Sequence, residues 1–303
     1  QTVTMNVAGG VANSLTINGT ANWATGLTTN IGAGGIIINS GGNITAVTNG
    51  VLTNTGNLTI NAVTTATAVA LRMGGAGMQI SGTGSIGTIA INAATTNNGT
   101  LTVTTALTGT SGLTNGAGAT LNISGTSALT GGLTATAAGN TVNYNGAAQN
   151  PCIVTTYNNL TLSGSGAKTF ATTPTVNGVL SMEGTATVTV TAGVVTYGTN
   201  ATLKYNTATA RTASSEEWIT PFAATGGVII ANTGSISLNT NKTVNAPLTI
   251  NSGATLNLNT WNLNFGGNYI NNGGTLTAGA SAITISGTGT QSIAGFTTTG
   301  TVS

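Results

Sequence analysis

The chain is 303 residues long yet carries five Lys or Arg, three Glu and neither Asp nor His, for a net charge of +2, where an ordinary soluble domain has about a quarter of its residues charged. The five cations, Arg72, Lys168, Lys204, Arg211 and Lys242, are scattered singly, so no basic stripe exists for a phosphate backbone and no nucleic-acid partner is expected. Without His or Asp, and with one Cys, the usual zinc ligand sets, the carboxylate loops for calcium and the Ser-His-Asp arrangement are out of reach: no catalytic, metal-ligating or cofactor-binding residue is expected.

Low complexity of this kind suggests disorder only when hydropathy is low and charge high. Here mean hydropathy is +0.27 and charge is nearly absent, so an ordered chain is expected. The apolar runs Ile36-Ile37-Ile38 and Val228-Ile229-Ile230 fall far short of the roughly 18 residues needed to span a bilayer, so no transmembrane segment is expected. Aromatic residues at 4% are too few for the girdles of an outer-membrane barrel. The chain starts at Gln1 without an initiator Met or signal peptide, as a mature exported protein or an excised fragment does.

Taken in chain order, the sequence is a run of short apolar-polar-apolar triplets set off by turn residues. Asn18-Gly19 supplies a turn, Leu58-Thr59-Ile60 a strand, and Asn98-Gly99-Thr100-Leu101-Thr102-Val103 a turn followed by a strand. Gly118-Ala119-Thr120-Leu121-Asn122-Ile123 gives the clearest unit, repeated as Gly253-Ala254-Thr255-Leu256-Asn257-Leu258. Between them come Gly131-Gly132, Leu160-Thr161-Leu162, Asn177-Gly178, Asn200-Ala201-Thr202-Leu203 and Leu248-Thr249-Ile250; Gly274-Thr275-Leu276-Thr277 and Ile283-Thr284-Ile285 follow. Period-two alternation of β-branched residues bounded by Gly and Asn predicts strands with one buried face, and helix signals are essentially absent. Cys152 can form no internal disulfide and is expected as a loop or semi-buried thiol, with an intermolecular disulfide as the alternative. Residues 196–222, with Tyr197, Tyr205, Arg211, Glu216, Glu217, Trp218 and Pro221, break the texture and are expected to form an irregular, loop-rich insertion.

In the last third the strands begin near Leu248, Leu256, Leu263, Tyr269, Leu276 and Ile283. A spacing of about seven residues, three faces to a coil of about 20 to 24, predicts an all-β fold: a parallel β-helix (β-solenoid) with three short strands per coil. Residues 1–303 are expected to form a single elongated unit of about 13 coils, on the order of 60 Å long at the usual strand spacing. Asn at equivalent turns is expected to stack in amide ladders.

The only candidate acids are Glu183 and the adjacent Glu216 and Glu217. Neighbours on a strand point to opposite faces and cannot flank one glycosidic bond, so the pair is read as a solvated loop near Arg211 and the chain as no enzyme. Trp23, Trp218 and Trp261 could present flat faces to a sugar, but nothing brings them together, and core packing is the expectation. Threonine arrays raise ice binding, with Thr187-Val188-Thr189-Val190-Thr191 the best instance. Thr-x-Thr is not repeated at one phase of each coil, as a flat face would need.

The stretches Val142-Asn143-Tyr144-Asn145-Gly146-Ala147-Ala148-Gln149 and Tyr157-Asn158-Asn159-Leu160-Thr161-Leu162-Ser163-Gly164-Ser165-Gly166, with Gly226–Gly234 and Gly289–Phe296, resemble the repeat regions of large secreted surface proteins of Bacteroidetes-type bacteria, similar in architecture to filamentous-haemagglutinin-like adhesins. The resemblance implies export, often by the type IX route, and an extracellular or cell-surface location, and it transfers no functional residue. The expected function is structural, a filament, sheath or surface layer, with an adhesin stalk contacting glycans or surfaces as the alternative. Expected partners are copies joined end to end or further coils of a longer chain.

Overall fold

The computed structural model describes residues 2–5, 11–23, 26–46, 50–62, 70–152, 154 and 156–303. Among them are thirty-five strands and no helix, arranged as a β-solenoid of about 13 turns. By internal contacts the chain divides into two compact units, Gln1–Val154 and Thr155–Ser303.

In the first unit each coil has three faces. The strand Thr100–Gly109 turns a corner midway: Thr100–Val103 lie on one face and Ala106–Gly109 on the next. Leu113–Asn115 form the following face, and Thr120–Ile123 return to the first, so that Thr100 pairs with Thr120 (20 residues on) and Thr120 with Thr141 (21 on). Steps are shorter and longer elsewhere: Thr83 pairs with Thr100, 17 on, and Thr20 with Asn43, 23 on. The pairings are parallel, because a chain that always turns the same way brings each strand over its predecessor.

The second unit repeats the plan. Asn159–Leu162, Ala167–Phe170 and Thr175–Val176 occupy three faces before Val179–Met182 returns over the first. On that face Leu160, Leu180, Leu203, Val228, Leu248 and Tyr269 follow one another in register, each nearly or fully buried. Every such aliphatic side chain contributes about 1.5–3 kcal/mol by leaving water, and its polar strand neighbours, pointing the other way, stay at the surface. The strands of the last third, Leu248–Asn251, Thr255–Asn257, Leu263–Phe265, Tyr269–Asn272, Thr275–Thr277 and Ile283–Ile285, fall where the seven-residue spacing puts them.

The repeated Gly-Ala-Thr-Leu-Asn motif is a corner and the strand that leaves it. Gly118 and Gly253 have φ of 67° and 78°, in the left-handed region that costs other residues about 1–2 kcal/mol. The next residue, Ala119 or Ala254, is buried, and its N–H donates to Gly116 O at 3.2 Å or to Asn251 O at 3.0 Å, closing the turn. Thr then faces out and Leu in.

Corners also need partners for backbone carbonyls that leave the ladder, and buried amides supply them. Asn97 and Asn115 are fully buried; Asn97 Nδ2 donates to Asn115 Oδ1 at 2.8 Å and to Thr120 O at 3.1 Å, and Asn115 Nδ2 donates to Thr141 O at 3.0 Å. This is the expected amide ladder, turned inward. Gln149 and Gln291 perform one task in their respective units. Gln149 Nε2 donates to Ile123 O and Gly125 O at 2.8 and 2.7 Å while its Oε1 accepts from Gly146 N–H; Gln291 Nε2 donates to Phe265 O and Gly267 O at 3.1 and 2.7 Å while its Oε1 accepts from Gly287 N–H.

Residues 196–222 hold the strands Thr196–Tyr197, Thr202–Asn206 and Arg211–Thr212, in register with their neighbours. The irregular part begins after Thr212. It lengthens the step to 25 residues, from Leu203 to Val228 and from Arg211 to Ile236, after which Val228 to Leu248 returns to 20.

Candidate functional site

Two places carry more chemistry than a solenoid needs: a buried polar cluster in the lengthened coil, and one outer face of the first unit.

The lengthened coil is built on Ser214-Ser215-Glu216-Glu217. Glu217 is 1% exposed, so the solvated-loop reading of the pair is corrected for this residue. The cause is a reciprocal cap on a single helix-like turn. Ser214 N–H donates to Glu217 Oε1 at 2.7 Å and the Ser214 hydroxyl bonds Oε2, while Glu216 N–H donates to Ser214 Oγ at 3.2 Å and Trp218 N–H to Ser214 O at 3.1 Å. The turn drives Glu217 and Trp218 into the interior. Tyr205 Oη donates to Glu217 Oε1 at 3.1 Å and Tyr197 Oη to the Glu217 carbonyl at 2.6 Å. Glu216 points elsewhere and accepts the Val190 N–H at 2.6 Å. The two carboxylates therefore serve different partners, as their adjacency suggested. Glu183 accepts from Ser181 Oγ at 2.8 Å and Asn206 Nδ2 at 3.1 Å.

Around Glu217 stand two cations. The Arg211 guanidinium carbon lies 5.6 Å from the Tyr205 ring centroid, and Lys242 Nζ lies 6.0 Å from that of Trp218 and donates to Trp218 O. Burial raises the Glu217 carboxyl above its ordinary range, against the lowering effect of the Ser214 hydrogen bonds and the Arg211 charge. Burial lowers Lys242 to about 8 against the raising effect of Glu217, and lowers Lys168, whose Nζ donates to Ser165 O at 3.2 Å, to about 8 as well. Tyr197 and Tyr205 are pushed well above 10, by burial first and then by the Glu217 charge. The cluster is sealed, and its chemistry is that of a polar staple. Sequence inspection missed it; the Ser-x-x-Glu spacing was the available signal.

Trp23 and Trp218 are fully buried, Trp23 Nε1 donating to Thr29 Oγ1 at 3.2 Å, whereas Trp261 is exposed. Cys152 is buried, its thiol raised by desolvation, and its N–H donates to Tyr144 Oη at 3.1 Å. Among the described residues no three of His, Cys, Asp and Glu gather as metal ligands, and no helix is long and apolar enough to cross a membrane.

The outer face has a regular order that sequence inspection did not find. Parallel register places Thr83, Thr100, Thr120 and Thr141 in one column up successive coils. Two residues on along each strand, Ser85, which is buried, and Thr102, Asn122 and Asn143, which are half-buried, form a second column. Asn122 Nδ2 donates to Thr102 Oγ1 and Asn143 Nδ2 to Asn122 Oδ1, both at 3.2 Å. A single threonine column therefore keeps one phase on this face, while the Thr-x-Thr pattern itself occurs on one of the four strands, at Thr100-Leu101-Thr102. Nearer the N-terminus, in a separate sheet, Thr20 pairs with Asn43 and Asn22 with Thr45, so that each column there mixes hydroxyl and amide. At the Thr83 edge an open cleft of about 600 Å³ is lined by Ser40, Asn61, Thr83, Ser85, Thr100 and Thr102 among others.

No protein-family model, curated protein or solved structure matches the chain. What the geometry shows without them is a β-solenoid of repeating turns, the form a repeat region takes.

Proposed function

We propose that the chain is a non-catalytic structural segment of an extracellular surface or matrix protein, a stiff solenoid that helps build a filament, sheath or surface layer. The observation that carries this reading is the rung-by-rung parallel register within each unit, backed at the corners by buried amides such as Asn97, Asn115, Gln149 and Gln291. Hydrogen bonds stacked in this way resist shear between coils. Scarce cations, two of which (Lys168 and Lys242) are buried, give trypsin-like proteases few places to cut. The resemblance to repeat regions of Bacteroidetes-type surface proteins supports export and surface display. Electron microscopy and sedimentation of the purified chain test the reading: ordered filaments or lateral assemblies are expected, and only short monomeric particles under native conditions would sink it.

A further inference from the structure

We propose that the Thr100–Thr120–Thr141 face of the first unit binds ice. This goes beyond the structural role, since the ligand is a crystal surface and the site is a two-dimensional array.

The case starts with spacing. Neighbouring strands lie about 4.7–4.9 Å apart, and residues i and i+2 on one strand about 6.6–6.8 Å. The Thr83, Thr100, Thr120 and Thr141 hydroxyls, with the Thr102 hydroxyl and the Asn122 and Asn143 amides beside them, therefore sample a rectangular net with those two repeats, comparable in size to the spacing of oxygen positions on a prism face of hexagonal ice. The chemistry fits as well. The four strands on this face read Thr-Gly-Ser-Ile, Thr-Leu-Thr-Val, Thr-Leu-Asn-Ile and Thr-Val-Asn-Tyr, with no charge to impose a hydration shell foreign to the lattice. Threonine offers a hydroxyl to join the water network and a methyl group that gains by leaving liquid water. Thr100, Thr120 and Thr141 are half-buried, with Thr100 at the rim of the cleft on the Thr83 edge.

Order is the third argument, because a surface that must match a crystal gains from being fixed beforehand. The interior amide ladder holds the backbone beneath the first column, through Asn97 to Thr120 O and Asn115 to Thr141 O. The outer ladder Thr102–Asn122–Asn143 fixes the second column. The net is thus pinned from below and from the side.

The test uses the full chain. Purified protein is expected to open a gap between the melting and freezing temperatures of a single ice crystal and to shape its growth into facets. Thr120→Tyr, at the centre of the face, is expected to reduce that gap by roughly an order of magnitude with an unchanged circular dichroism spectrum, as a central contact does elsewhere. Thr249→Tyr, at an outward position of the second unit, is expected to leave it intact. An unmodified protein with no gap and no faceting overturns the proposal. So does Thr120→Tyr acting only on self-association in sedimentation, which would assign the face to a second copy, or Thr249→Tyr losing as much as Thr120→Tyr.

Discussion

Replacing Glu217 by Ala tests whether the buried cluster holds the lengthened coil in place. The carboxylate accepts hydrogen bonds from Ser214 N–H, the Ser214 hydroxyl and Tyr205 Oη, and it faces Lys242 and Arg211. Removing one member of a buried charged network costs about 3–5 kcal/mol, because the partners stay buried without it. The residue belongs to one coil, so the loss is expected in local opening of residues 213–226. Hydrogen exchange measured by mass spectrometry should show the amides of Trp218 and its neighbours exchanging about 100- to 4,000-fold faster, at about 1.4 kcal/mol per factor of ten. Peptides from the first unit serve as the internal control. Glu217→Gln keeps the shape and one acceptor but cannot ionise, which separates hydrogen bonding from charge. The folded carboxyl is raised, so its stabilising contribution is complete below about 4.5 and declines as pH rises through the folded value. The Gln variant, lacking that decline, should gain on the wild type across the same window. An Ala variant whose 213–226 amides exchange within a few-fold of wild type would refute the reasoning.

The two buried lysines give the opposite slope. Their folded values of about 8 lie below the ordinary 10.5, so the unfolded chain binds more protons between those limits and stability rises with pH. Urea midpoints should increase from pH 7.5 to 9.5, and Lys168→Met should flatten part of the rise; a midpoint that falls over this interval contradicts the assignment. Gly118→Ala should cost about 1–2 kcal/mol from left-handed backbone alone, since its surroundings are open. Gly109→Ala should cost clearly more, because with φ of 127° a Cβ would also overlap the Ile91 carbonyl; equal thermal shifts would refute the comparison. Cys152, buried with its thiol raised, should react with a thiol reagent on the order of a hundredfold more slowly in the native protein than in denaturant, and comparable rates would show that the site opens readily.

The strands were legible because each carries its own signal. Leu248, Leu256 and Leu263 stand at the head of apolar-polar-apolar triplets, and alternation of this kind survives any change in coil length. The phase of outward residues did not survive it. Thr83, Thr100, Thr120 and Thr141 are separated by 17, 20 and 21 residues, so a scan at one fixed period blurs a column that the hydrogen-bond register makes straight. Glu217 was illegible for another reason. Ser214-Ser215-Glu216-Glu217 reads as polar loop, and only the reciprocal cap, closing on Trp218 N–H and drawing both side chains inward, turns it into core. Asn97 and Asn115 were expected in ladders, yet their inward direction depends on carbonyls at the corner, which composition does not display.

The return of the register to a 20-residue step immediately after the 25-residue coil has a consequence for engineering. Each coil reads only the coils directly above and below it, so an added corner segment is absorbed where it enters and leaves no phase error downstream. The bend after Thr212 is therefore a natural port for grafted sequence. A peptide epitope or enzyme tag inserted beyond the Ser214–Trp218 turn, at the exposed Ala223, would be displayed at the surface while that turn kept its spacing and the strands on either side kept their partners.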